Sequence, residues 1–119
     1  MPTDRKKILI VEDEALVAMA LEMELEDHGF DPVGPAARVN DAISILEDRS
    51  VDGAILDVML GREEVFPVAD KLVEMGVPFI FHSGHFDRER LPGRYDAPSH
   101  SKPTMPEILI ASLRDTIDG

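Results

Sequence analysis

Residues 8–11, ILIV, run directly into three consecutive acids, Glu12, Asp13 and Glu14. Four successive apolar positions read as a strand covered on both faces, so the acids stand at the mouth of a core, where like charges repel. Other candidate strands, the last of them poor, end in residues of complementary chemistry: Asp57 after 53–56, Ser83 after 79–82 and Lys102 after 98–101. Glu12, Asp13 and Asp57 held together destabilise one another unless a cation sits among them, and an all-oxygen donor set suits a hard ion such as Mg²⁺. Mg²⁺ keeps several waters and takes one or two carboxylates directly. Asp13 and Asp57 are therefore assigned as direct ligands, Glu12 as a contributor through water, and the Met59 backbone carbonyl as a further oxygen. A carboxylate can also attack phosphorus and form an aspartyl-phosphate. Strand-terminal Asp57 is the nucleophile expected here, with Lys102 and Ser83 neutralising charge on the equatorial oxygens.

Each of these residues has a plainer role to weigh. Asp13 is a good helix cap and early acids favour the helix dipole; Asp57 could be a turn residue, Ser83 a cap and Lys102 merely solvated. Convergence of all five on one edge favours the chemical roles. His82, His85 and His100 read as core or loop histidines, structural or modulatory rather than catalytic. Four histidines and no cysteine offer no zinc spacing.

The elements that position these side chains follow from periodicity. Strands are expected at 7–11, 31–34 (weakly), 53–56, 79–82 and 98–101. Helical spacing recurs between them. In 14–29 an apolar stripe of Val17, Leu21, Met23 and Leu25 ends at Gly29, with Met19 and Met23 read most simply as core packing, the alternative being an exposed, adaptable partner surface. In 38–49 the stripe is Val39, Ala42, Ile43 and Leu46; in 65–76 it is Val65, Val68, Ala69, Leu72 and Val73; a last helix starts near Pro106. The charge-rich 84–97, with Pro92 and Gly93, allows at most a short helix and is expected to hold the most mobile segment. Strand and helix alternation predicts an α/β domain over 1–119: a doubly wound, flavodoxin-like, five-stranded parallel sheet ordered 2-1-3-4-5, with five helical connections. Functional residues in such sheets gather at the carboxyl ends of the strands.

The totals narrow the function classes. Twenty-four acids against 12 basic residues give a formal charge of −12, which repels nucleic-acid phosphates and anionic membranes. Neither is an expected partner. No uninterrupted apolar segment approaches the roughly 20 residues of a membrane span, the amino terminus lacks a signal-peptide pattern, and the absence of cysteine is compatible with a reducing compartment. A cytoplasmic protein is expected.

The ordered set VEDE, LDVMLG, FHSG and SKP resembles the receiver domain of two-component response regulators over essentially the whole chain. The resemblance implies that Glu12 and Asp13 hold Mg²⁺, that Asp57 accepts phosphate from a histidine kinase or phosphotransfer protein, that Ser83 is the switch hydroxyl, and that Lys102 contacts the phosphoryl group. It also implies a cis peptide before Pro103, a downstream protein partner, and at most weak self-phosphorylation and self-dephosphorylation rather than enzymatic turnover. Family members usually carry an aromatic residue three positions before the lysine, where this chain has Ser99. The lack of that aromatic is similar to a subgroup of stand-alone receivers that signal through the loop after the fourth strand. That loop typically reads Ala-Thr-Gly-Tyr where His82, Ser83, Gly84 and His85 stand here. Two other functions are weighed: a degenerate receiver that binds partners without phosphorylation, and a flavin-carrying electron-transfer protein, which the acidic VEDEA stretch disfavours because flavin phosphate is anionic.

Overall fold

The computed structural model describes residues 5–84 and 91–119. Five parallel strands, β1 (Lys7–Val11), β2 (Asp31–Ala36), β3 (Gly53–Asp57), β6 (Phe79–Ser83) and β7 (Ser99–Ser101), form one sheet ordered β2-β1-β3-β6-β7. This is the expected 2-1-3-4-5 order. A two-stranded hairpin, β4 (Met59–Leu60) with β5 (Glu63–Glu64), follows β3 and was not anticipated. Four helices, α1 (Ala15–Asp27), α2 (Val39–Asp48), α3 (Phe66–Met75) and α4 (Pro106–Asp118), are present among the described residues, against five helical connections expected. The short helix and the mobile segment expected in 84–97 fall largely on residues 85–90, outside the described residues; 91–98 is irregular, with a turn at Gly93 and Arg94. No helix of the described residues is long and apolar enough to cross a membrane.

Alternation along each strand explains why the apolar runs are continuous. Leu9, Val11, Ala54, Leu56, Phe79 and Phe81 face one side, where they pack with Val39, Ala42 and Leu46 of α2 and Val68, Ala69 and Leu72 of α3. Ile8, Ile10, Ile55 and Ile80 face the other, against Ala18, Leu21 and Leu25 of α1 and Leu109, Ile110 and Leu113 of α4. Each fully buried Ile or Leu contributes about 1.5–3 kcal/mol, and a one-residue slip would exchange the two faces. The register is thereby pinned, and with it the level at which each strand ends.

Helix α1 departs from the expected packing. Its buried face is Ala18, Leu21 and Leu25, at spacings of three and four, whereas Leu16, Met19 and Met23 are 80%, 55% and 60% exposed. Met19 and Met23 are therefore not core residues. The sheet covers one side of α1, and these two lie around the helix from it. Val73 on α3 is likewise exposed. The α3 helix closes at Gly76, whose φ of 73° is the left-handed conformation that glycine adopts without strain.

Candidate functional site

Register places the chemistry. Asp57, the last residue of β3, pairs with His82, and Ser83 pairs with Ser101, one residue before Lys102. Glu12 and Asp13 follow β1, whose Val11 lies beside Leu56. The Lys102 N–H donates to the Ser83 carbonyl at 2.7 Å, and the Lys102–Pro103 peptide is cis, as expected. Five residues far apart in sequence thus reach one edge of the sheet.

Glu12 and Asp57 are buried and Asp13 is exposed, and ligand oxygens of the three lie within 4.8 Å of one another. An all-carboxylate cluster this tight, with one exposed member, fits a hard divalent cation. Asp13 Oδ2 accepts the Gly61 N–H at 2.9 Å. Gly61 sits in the β4–β5 turn with a φ of 64°, so the hairpin that sequence reasoning missed orients a candidate metal ligand. Met59, expected to offer its carbonyl, begins this hairpin, and its N–H approaches Asp57 Oδ1 at 3.4 Å.

Lys102 is the hub. Its Nζ lies 3.1 Å from Asp57 Oδ2, 3.2 Å from Glu12 Oε1 and 3.2 Å from Glu14 Oε1. Burial, then the neighbouring Glu12 charge, push the Asp57 carboxyl up from 3.8 to about 7, against the opposing pull of Lys102. Burial alone would lower the Lys102 ammonium, but Asp57 and Glu12 more than offset it and hold it above its ordinary value. Without a cation, the pocket therefore makes ionisation of Asp57 harder while it keeps the lysine charged. Glu14 was counted among the acids but given no role. It occupies the N-cap of α1 without a side-chain cap bond, and its carboxylate reaches Lys102 instead.

Ser83 is fully buried and its Oγ has no hydrogen-bond partner among the described residues; His82 is 4% exposed and neither ring nitrogen finds one there, and the same holds for the buried Oγ of Ser99. Burial, then Lys102 and His100, depress the His82 pKa to about 4, so its ring is neutral. His100 is partnered by Ser112 at 2.8 Å. Ser99 stands in β7 where an aromatic was looked for. The ring of Tyr95 lies nearby instead, stacked on Phe66 at 5.9 Å and edge-on to Phe81 at 5.6 Å and Phe79 at 6.1 Å. Its hydroxyl bonds Asp70 of α3. A lone tyrosine four residues from the expected position carried no periodic signal.

A catalytic-looking acid held against a lysine at the carboxyl edge of this sheet defines a class of signalling module, and sequence comparison agrees. The response regulator receiver domain model matches residues 8–96, and the chain belongs to that family, which places it in two-component signalling. Among its relatives, the phyllosphere-induced regulator PhyR of Methylorubrum extorquens is 35% identical over 93% of this chain and 43% of that protein. The transcriptional regulatory protein PdtaR of Mycobacterium tuberculosis is 28% identical over 77% of this chain and 45% of that protein. The chain spans less than half the length of these two curated relatives. The solution structure of SdrG from Sphingomonas melonis Fr1 superposes with a TM-score of 0.83 at 38% identity, covering 97% of this chain and 98% of that one.

Proposed function

We propose that Asp57 accepts a phosphoryl group from a phosphohistidine on a histidine kinase or phosphotransfer protein, in a reaction that needs Mg²⁺, and that the change is passed on by altered protein contacts. The observation that carries this reading is Lys102 Nζ at 3.1 Å from Asp57 Oδ2, beside Glu12 and Asp13 at the mouth of the core. Asp57 attacks phosphorus, the bond to the donor imidazole breaks, and its electron pair returns to that nitrogen. Asp13 and Asp57, with Glu12 through water and the Met59 carbonyl, would hold Mg²⁺, which would supply charge neutralisation at the phosphoryl oxygens. Lys102, 3.1 Å from Asp57, supplies a fixed positive charge beside the acceptor.

A groove of about 540 Å³ between α1 and α4 begins at Glu14 and Lys102 and is lined by Leu16, Val17, Ala20, Pro103 and Leu109. With Leu16, Met19 and Met23 exposed beside it, it offers the donor an apolar seat next to the acceptor. Once esterified, Asp57 carries about −1.5 to −2 charges. The Ser83 hydroxyl, without a partner among the described residues, turns to a phosphoryl oxygen, and the change at the end of β6 is passed on to a partner.

Intact-mass measurement tests this. With Mg²⁺ and acetyl phosphate the protein should gain one phosphoryl mass; Asp57→Asn, or removal of the ion with EDTA, should prevent it. A wild type that stays unmodified both with acetyl phosphate and with a phosphorylated kinase would leave a binding module that works without phosphate.

A further inference from the structure

An ammonium has three N–H groups, and three carboxylates claim those of Lys102: Asp57, Glu12 and Glu14, at 3.1, 3.2 and 3.2 Å. A phosphoryl oxygen arriving at Asp57 needs one of those donors, so one carboxylate must let go. Glu12 and Asp57 are poorly placed to do so. Their side chains are only 2% and 5% exposed, so water cannot take the place of the ammonium at either. The Glu14 side chain is 63% exposed, so water replaces the ammonium as soon as the contact breaks.

The contact is not a by-product of helix capping. A short polar side chain at an N-cap folds back onto the first N–H groups of its helix, yet Glu14 makes no such bond. Its own N–H donates to Glu12 Oε2 at 3.1 Å. One residue therefore orients Glu12 through its backbone and reaches Lys102 through its side chain.

We propose that Glu14 is a positioning residue that occupies the Lys102 ammonium until a phosphoryl oxygen displaces it, and so slows phosphoryl capture by Asp57. This rests on the reading of Asp57 as the phosphoacceptor. Glu14 acts through Lys102 and holds no metal, so its removal leaves the response to Mg²⁺ as it was.

Two variants separate contact from charge. Glu14→Ala removes both; Glu14→Asp keeps the charge, is one methylene shorter, and is drawn back onto the helix N–H groups as a true cap. Both should take phosphate from sub-saturating acetyl phosphate about two- to five-fold faster than wild type, and bind beryllofluoride more tightly by a similar factor, the scale of an exposed ion pair. The Mg²⁺ midpoint should not move. Wild-type behaviour in Glu14→Asp with acceleration in Glu14→Ala would show that charge alone acts, and would overturn the proposal. No acceleration in either, or a shifted Mg²⁺ midpoint, would overturn it too. If wild type takes no phosphate and binds no beryllofluoride, the reading of Asp57 fails and this inference falls with it; if wild type takes phosphate and the variants match it, the inference alone fails.

Discussion

Replacing Asp57 by Asn should make the ion-free protein more stable at neutral pH and remove a pH dependence that the wild type carries. Asp57 is 4% exposed, and its carboxyl is raised from 3.8 to about 7. The folded chain thus keeps a proton that the unfolded chain releases across that window. Stability falls as pH rises from about 4 to about 7 and is level above it. At 1.36 kcal/mol per pH unit, a shift of about three units withholds at most about 4 kcal/mol from the folded state. Between about pH 5 and about pH 8 some two units are traversed, so wild type should lose about 3 kcal/mol relative to Asp57→Asn. The asparagine oxygen can still accept from Lys102, so the ammonium is not stranded. Urea unfolding in EDTA, followed by far-ultraviolet circular dichroism across this range, gives the difference curve, in which titrating groups that do not touch Asp57 cancel. Saturating Mg²⁺, which requires the ionised acid, should stabilise wild type more at the upper end of the range than at the lower. A flat difference curve, or one that favours wild type as pH rises, would refute the argument that burial and Glu12 overcome Lys102 at this carboxyl.

Two further outcomes concern the edges of the site. His82→Val removes two buried nitrogens that lack partners among the described residues and should stabilise the domain by about 1 kcal/mol at neutral pH in urea unfolding. It should also abolish a loss of stability as pH falls from 6.5 toward about 4, where the unfolded imidazole takes a proton that the folded one refuses. Tyr95→Phe keeps the ring among Phe66, Phe79 and Phe81 but forfeits the hydroxyl bonds to Asp70 and Arg94, and should cost about 1 kcal/mol in the same assay. With one tyrosine and no tryptophan in the chain, wild-type fluorescence reports the β6–β7 segment directly.

Sheet order and the identity of the acid cluster were legible because both rest on local patterns. ILIV, GAIL and FIF announce strands covered on two faces, and a parallel sheet gathers whatever follows each strand at one edge, so Asp13, Asp57 and Lys102 could be placed together before any coordinate was known. Met19 and Met23 were misread for a physical reason: periodicity identifies an apolar stripe, but not how wide a face the sheet covers. Ala18, Leu21 and Leu25 were enough to fill that contact.

The sequence alone determined the five strands of the sheet, the residues that end them, and hence the chemical types present at the carboxyl edge, since hydrophobic period and chain order act locally. Only the tertiary structure decided how those residues share one another. It brought Glu14, to which no sequence pattern assigned a role, against Lys102, supplied the Gly61 N–H that steadies Asp13, left Ser83 and His82 buried without partners among the described residues, and seated Tyr95 among three phenylalanines. Each of these outcomes depends on distance and burial between segments remote along the chain, which no local pattern encodes.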